Sequence, residues 1–324
     1  MERTRWAVLG PGEISGFFAR ALPRSEHGVL HAVGSSDAGR AEAFASRYGA
    51  PVHGTYDDVL ARDDVDAVYI GTVHTGHAPL AIAALEAGKA VLCEKPVTPT
   101  AAATAEVLAA AERSGRPFVE AFKHSFGPLA RELRTVVQSG EIGELVSMEA
   151  AFGFAAGEHT GRLFDPALAG GAILDVGGYP ASLAVAVARW ADRGEPVLVS
   201  AEGTIGETGV DVEAVAVVDF GGFTAMLRTA IVTAMPEEAT IVGTRGSIPV
   251  PDVWGSREES PARATVRGDS GERVIEVEPV DPFAAEADAV SLALAEGRRE
   301  VPEVPWASSA AISRILDEWR ARLG

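Results

Sequence analysis

From Trp6 onward, short β-branched apolar runs alternate with longer alanine- and leucine-rich segments of helical period. The runs Trp6–Gly10, Val29–Gly34, Ala67–Thr72, Ala90–Glu94 and Phe118–Phe122 read as strands. Between them the spacing predicts helices over Ile14–Leu22, Asp37–Tyr48, His77–Ala87 and Thr100–Ser114. Strands that alternate with helices need crossover connections, which predicts a parallel, doubly wound sheet. Gly49 and Gly88 fall where helix C-termini favour positive φ, and Thr98-Pro99 offers an N-cap followed by a first-turn proline.

Past residue 125 a period of two takes over. A helix at Pro128–Ser139 precedes strands predicted at Leu145–Phe154, Val197–Gly203, Val210–Phe220, Phe223–Thr233, Thr240–Gly243 and Val274–Val277. Gly221-Gly222 joins two of these as a hairpin turn. A helix over Gly177–Trp190 is the best cover for one face of this mostly antiparallel sheet. The segment Asp252–Glu272 reads as irregular surface chain, and helices at Pro282–Glu296 and Ala307–Leu323 close the sequence. The expectation is an α/β unit over residues 1–122 followed by an α+β unit over 123–324 with a large, mainly antiparallel open sheet. The last helix, 307–323, is expected to pack back on the first unit. No repeat of 20–50 residues is visible.

Composition narrows the function. The 324 residues are 47% hydrophobic and 23% charged, an ordinary globular balance. With 46 acidic against 28 basic residues the formal charge is −18, a field that repels phosphate backbones and anionic lipid, so neither nucleic acid nor a membrane is an expected partner. The longest run lacking Asp, Glu, Lys and Arg, Ala67–Leu85, is interrupted by His74, His77 and Pro79 and does not read as a membrane span. Residues 6–10 are too short an apolar run for an export signal. The lone Cys93 closes no intrachain disulfide and removes any cysteine-based zinc site, so a reducing, cytoplasmic setting is expected. Lys89, Lys95 and Lys123 are the only lysines against 25 arginines, so each needs an account.

Three segments carry candidate chemistry. Gly10-Pro11-Gly12-Glu13-Ile14-Ser15-Gly16 follows the first strand and opens the first helix, the setting of a dinucleotide fingerprint. Gly10 permits the tight turn, Gly12 lets the backbone approach a pyrophosphate, and the N–H groups of the helix start, Glu13 and Ile14 among them, favour its negative charge. Ser15 stands at the third small-residue position. The second strand ends in Gly34-Ser35-Ser36 instead of an acid, so nothing there repels a 2′-phosphate, and Arg40 lies one helical turn on. NADP is therefore favoured over NAD, although Arg40 reads equally as a solvated residue and Asp37 as an N-cap. Glu94-Lys95-Pro96 ends the fourth strand at the ligand edge of such a sheet. Asp175 and Tyr179, spaced i and i+4 in a Gly-rich segment, share one face if helical; the blander reading makes Asp175 a cap and Tyr179 a packing residue. A phenol exchanges a proton with a hydroxyl when a nearby cation favours its ionised form, and Lys95 is the candidate cation. Thr72, His74 and His77 follow the third strand at the same edge; with no acid or cysteine at ligand spacing the histidines are a weak signal for a metal and read better as cofactor contacts or helix-start hydrogen bonds.

Together these segments resemble the glucose–fructose oxidoreductase/inositol dehydrogenase/rhizopine-catabolism (GFO/IDH/MocA) oxidoreductase family over nearly the whole chain. The pattern rests on Ala67-Val68-Tyr69-Ile70-Gly71-Thr72, His77, Leu85-Glu86-Ala87-Gly88-Lys89 and Glu94-Lys95-Pro96. Arg162-Leu163-Phe164-Asp165-Pro166, Asp175-x-Gly-x-Tyr179-Pro180 and the tail from Gly297-Arg298 through Pro305-Trp306 to Ile315-Leu316-Asp317 resemble the dihydrodiol dehydrogenase and NADP-dependent xylose dehydrogenase branch. The resemblance implies a Rossmann domain and an open-sheet domain whose exposed face often mediates dimerisation. It implies that Lys95 and Tyr179 flank the substrate carbon, that hydride passes between that carbon and the nicotinamide, and that Tyr179, its pKa lowered by Lys95, exchanges the hydroxyl proton. Asp175 would orient the substrate or the acid, with Phe122 and Arg162 as further substrate contacts. Two departures stand out: the loop after the fifth strand carries Ser125 where relatives often have arginine, and Ser36 stands where the xylose-dehydrogenase-like relatives tend to have one.

The leading expectation is thus an NAD(P)-dependent dehydrogenase or reductase acting on a sugar, polyol or cyclic diol, expected as a homodimer or higher homo-oligomer. Two rivals compete with it: a cofactor-binding sensor without turnover, and a redox-neutral sugar enzyme that recycles tightly held NAD.

Overall fold

Six short strands, the central ones buried on both faces, run parallel through the N-terminal part of the computed structural model, which describes residues 2–255 and 261–323. They are β1 (Thr4–Leu9), β2 (Gly28–Gly34), β3 (Val52–Gly54), β4 (Ala67–Ile70), β5 (Ala90–Glu94) and β6 (Phe118–Ala121), in the order β3-β2-β1-β4-β5-β6. The helices α1 (Glu13–Ala21), α2 (Ala38–Tyr48), α3 (Tyr56–Leu60), α4 (His74–Glu86) and α5 (Ala101–Ser114) connect them. Strand order reverses between β1 and β4, which opens a crevice at their carboxyl ends.

The sequence reading missed β3 and α3. Three and five residues are too few to show a period, and tertiary pairing of Ala32 to Val52 makes the strand. Helix α4 begins at His74, three residues before the expected start. The N-cap of α5 is Thr100, whose hydroxyl accepts from the Ala103 N–H, while Thr98 turns its hydroxyl to the Thr100 carbonyl and to Thr104.

The second sheet has eight strands: β7 (Leu145–Gly153), β8 (Val197–Ile205), β9 (Asp211–Asp219), β10 (Thr224–Ala230), β11 (Ala239–Gly243), β12 (Gly246–Val250), β13 (Ala262–Gly268) and β14 (Gly271–Val277). Their order is β14-β13-β12-β11-β7-β10-β9-β8, antiparallel throughout except for β7 beside β10. The expectation of irregular chain over Asp252–Glu272 fails for Ala262–Gly268. Ala264 and Val266 turn inward there, while Arg263 and Arg267 pair with Glu276 and Glu272 across the β13–β14 hairpin. One face of this edge hairpin is charged, which disguised the alternation. Residues 256–260, also within that expectation, lie outside the described residues.

The inner face of the second sheet packs on α6 (Pro128–Ser139) and α7 (Gly178–Trp190). Two closing helices pack back on the first unit, and the second of them also reaches the other sheet. In α8 (Pro282–Ala295), Phe283 stacks on Phe17 at 6.1 Å and Ser291 accepts from the Trp6 indole N–H. In α9 (Trp306–Ala321), Ser313 meets Thr104 at 2.8 Å and Asp317 accepts from the Ala101 N–H at 3.0 Å, so this helix lies between α5 and α7. Among the described residues, the one helical stretch long and apolar enough to cross a bilayer, Pro166–Trp190, is mostly buried and serves as core.

Candidate active site

A cavity of about 1060 Å³ runs along the carboxyl edge of the parallel sheet and under the second sheet. Its floor at the switch point is the turn after β1. Gly10 has φ +88°, and a Cβ there would come within 2.5 Å of Thr72 Cγ2, so this turn demands glycine. Gly12 is different: a Cβ would meet only the Gly71 carbonyl oxygen at 3.6 Å. The protein itself does not require glycine at that position; a ligand pressed against the backbone would. Gly12 is the N-cap of α1 and, lacking a side chain, makes no side-chain cap bond there; Glu13 and Ile14 follow it in the first turn. Ser15 at the third position donates to the Gly10 carbonyl at 2.6 Å, and Gly71 leaves room for it, because a Cβ there would lie 2.2 Å from Ser15 Oγ.

From this turn one arm of the cavity passes Ser35, Ser36, Arg40, Tyr56 and Gly71–Val73. Arg40 donates from its guanidinium to Ser36 Oγ at 3.2 Å, and Asp37 caps α2 by accepting from the Arg40 N–H. A bare glycine backbone, an open helix start and a hydroxyl-and-guanidinium pocket with no carboxylate facing it fit a dinucleotide carrying a 2′-phosphate. Gly10, Gly12, Glu13 and Ile14 would hold the pyrophosphate, and Ser35, Ser36 and Arg40 the adenosine end.

The other arm holds the candidate chemistry. Lys95, following β5, donates to the Asp175 main-chain carbonyl at 2.5 Å and places its ammonium 5.2 Å from the centroid of the Tyr179 ring. Asp175 and Tyr179 are not on a plain α-helix: a π-turn over Ile173–Gly177 precedes α7. Gly171 at φ +111° and Asp211, which accepts from the Ile173 N–H at 2.7 Å, set the start of this turn. The Asp175 carboxylate accepts from Arg162 at 3.0 Å and caps no helix. Burial alone would raise its pKa, but Lys95 and Arg162 hold it below the usual carboxylate value. Burial, with His77 and Lys95 nearby, keeps His74 neutral well below the ordinary imidazole range. Its Nδ1 therefore donates to the Ala169 carbonyl at 2.9 Å. His77, also kept neutral by burial, lies between the Pro96 and Thr72 carbonyls at 2.8 and 3.2 Å and fixes the loop that carries Lys95. Glu94 accepts from the Tyr69 hydroxyl at 2.6 Å beneath the cavity. No cluster of metal ligands occurs among the described residues.

Most of the expected residues line this one cavity: Gly10, Gly12, Glu13, Ile14, Ser35, Ser36, Arg40, Thr72, His74, His77, Glu94, Lys95, Arg162, Asp175 and Tyr179. Phe122 does not line it: the ring is wholly buried and stands edge-on behind Tyr179, 6.2 Å between ring centres, where it supports that ring. The sequence reading also missed an aromatic wall made by Phe152, Phe154 and Trp254, with Glu237 beside it. Phe152 and Trp254 lie 5.0 and 5.7 Å from the Tyr179 ring. Phe152 and Phe154, two apart where β7 ends, were a signal that these rings share one side of the strand. Of the remaining lysines, Lys89 donates to the Arg62 carbonyl at 2.5 Å, remote from the cavity, and Lys123 donates to main-chain carbonyls of the Trp254 loop.

A glycine turn and open helix start at the switch point of a parallel sheet, with a cation and a phenol at the far end of the same cavity, define an NAD(P)-dependent oxidoreductase. Residues 4–122 match the model of the oxidoreductase family with an NAD-binding Rossmann fold, and residues 130–249 match the GFO/IDH/MocA C-terminal domain. Trans-1,2-dihydrobenzene-1,2-diol dehydrogenase of Mus musculus is 34% identical over 332 residues, covering 99% of this chain and 97% of its own, and that of Bos taurus is also 34% identical. Among solved structures, a 3-ketoreductase from Actinomadura kijaniata in complex with NADP and TDP-benzene superposes with a TM-score of 0.89 at 25% identity, covering 99% and 98% of the two chains. An aldose-aldose oxidoreductase from Caulobacter crescentus gives 0.86 at 25% identity, covering 99% and 97%. The chain belongs to the GFO/IDH/MocA oxidoreductase family.

Proposed function

We propose that this chain is an NADP-preferring dehydrogenase or reductase that interconverts a hydroxyl and a carbonyl on a cyclic diol or sugar, with Lys95, Tyr179 and Asp175 as its chemical centre. The observation that carries the reading is the meeting of the Lys95 ammonium and the Tyr179 ring, 5.2 Å apart, in the cavity that begins at Gly12. When bound, the nicotinamide supplies the hydride donor or acceptor. Tyr179 takes the hydroxyl proton in oxidation and returns it in reduction. Lys95 stabilises the phenolate that this transfer requires and polarises the substrate oxygen. Asp175, kept ionised by Lys95 and Arg162, fixes the ammonium and offers an acceptor to a second hydroxyl. Phe152, Phe154 and Trp254 exclude water and present apolar faces to a ring.

Names of relatives support this substrate range, since one is a dihydrodiol dehydrogenase and another acts on aldoses. We assign residues 1–122 to cofactor binding and 123–324 to the substrate and to dimerisation. Among the described residues no helix covers the outer face of the second sheet, which carries half-buried Val215, Val217 and Val242 beside exposed Met226 and supports a homodimer through that face. The buried Cys93 as the sole cysteine supports a cytoplasmic location.

The test is nicotinamide absorbance with NADP and NAD against a panel of trans-diols, polyols and aldoses. Turnover with NADP and one of these classes is expected. Cofactor binding without turnover on any of them refutes the enzyme reading in favour of a sensor, and NAD retained through purification refutes it in favour of internal recycling.

A further inference from the structure

Lys123 follows β6 of the parallel sheet, is almost wholly buried, and directs its ammonium into the second sheet, to the carbonyls of Trp254 at 2.5 Å and Gly255 at 2.9 Å. A buried ammonium is retained only where its donors are matched, because an unmatched charge costs several kcal/mol of desolvation. The chain it holds just after β12 is tightly turned over residues 252–255. Asp252 is left-handed at φ +49°, Val253 N–H donates to the Glu237 carbonyl at 3.0 Å, and Gly255 N–H closes back on Asp252 at 2.9 Å. At its centre the Trp254 indole donates to the Ala151 carbonyl at 2.8 Å and lies nearly parallel to Phe152, 6.1 Å between ring centres, and 5.7 Å from the Tyr179 ring. Lys123 and Trp254 both line the cavity. A cation fixed to the cofactor-side sheet thus grips the main chain of the residue whose ring walls the substrate end.

We propose that Lys123 is a positioning residue that sets substrate affinity by clamping Trp254 against Tyr179. This rests on the reading of Tyr179 given above, which places the substrate beside that ring. The ammonium grips carbonyls that a neutral side chain of equal length leaves unmatched, so Lys123→Met frees the loop. Lys123→Arg, a cation with more donors, keeps it. The wall contacts the substrate equally in the ground and transition states, so its loosening raises KM and leaves kcat in place.

Two readouts test this on the full-length protein. The first needs no turnover: acrylamide quenching of the Trp254 contribution to fluorescence, obtained by difference from Trp254→Phe. Lys123→Met is expected to make that contribution at least about two-fold more quenchable and Lys123→Arg to restore it, as expected for loss of a charge-assisted bond. The second is kinetic. Lys123→Met should raise KM for a cyclic trans-diol about ten-fold, with kcat and NADP affinity within about two-fold, and the KM effect should vanish in a Trp254→Ala background. Unchanged quenching in folded Lys123→Met, or a KM effect that persists without Trp254, overturns the clamp. A wild-type protein that turns over no diol or sugar overturns the activity reading, while the quenching result still decides the clamp.

Discussion

Replacing Lys95 by Met removes the one charge that distinguishes this cavity from a cofactor site without chemistry. The ammonium stands 5.2 Å from the Tyr179 ring centroid. For a unit charge about 5 Å from a phenolate at an effective dielectric of ~20, the interaction is about 3 kcal/mol. That stabilisation is felt only once the phenol has lost its proton, so the loss falls on the transition state, and about 3 kcal/mol is roughly a 200-fold drop in kcat. Loss of the bond to the Asp175 carbonyl adds to this. Methionine is nearly isosteric, and Lys95 lies at the opposite arm of the cavity from Ser35, Ser36 and Arg40, so NADP affinity should stay within about three-fold. The assay pairs initial rates from nicotinamide absorbance with a direct binding titration of NADP. Raising the pH should restore part of the rate in the oxidation direction, because hydroxide then removes the proton that the lysine no longer helps to shed. A fall in kcat of only a few-fold, or equal losses of rate and cofactor affinity, refutes the assignment of Lys95 to proton exchange.

Further predictions follow from particular residues. Gly12→Ala should leave the thermal midpoint within a degree or two of wild type, since its Cβ meets only one atom, at 3.6 Å. It should cost at least about ten-fold in NADP affinity; a large loss of stability would contradict the geometry. Arg40→Ala should weaken NADP about ten-fold and NAD less than two-fold, and equal weakening would remove Arg40 from the 2′-phosphate. Stability should fall as the pH rises through about 7. Burial pushes Glu286 well above the ordinary carboxyl range and Glu120 up to about 7, so both keep protons in the fold that the unfolded chain has released. Stability from such groups is fully present below the unfolded value near 4 and is lost as the pH passes the folded one. The buried His74 and His124 act oppositely, but only below about pH 7, where an unfolded imidazole still binds its proton. Glu286→Gln should flatten the alkaline decline of the thermal midpoint; an unchanged slope would show that Glu286 does not carry it.

The alternation of apolar runs with helical segments sufficed for β1, β2, β4, β5 and β6 of the parallel sheet because these strands are largely buried and read as apolar runs between helices of clear period. The dinucleotide turn was legible for a local reason: Gly10, Gly12 and Ser15 act through the backbone of one strand–turn–helix. Lys95 stood out by scarcity and by its place at a strand end. Elements whose stability is borrowed were not legible. Strand β3 exists through pairing with β2, and β13 through backbone pairing with β14 beneath a charged outer face, so neither advertises itself in its own residues. Chain order also says nothing about depth, and packing puts the Phe122 ring behind Tyr179 instead of on the cavity surface.

What the residues determine by themselves is therefore local: secondary structure of sufficient length, the phosphate-binding turn, and the inventory of groups able to move a proton. What the tertiary structure alone decides is which of them meet. Lys95 and Asp175 are 80 positions apart, and Lys123 and Trp254 131. Each pair is joined by the packing of one sheet against the other, a long-range burial that the spacing of residues along the chain does not encode.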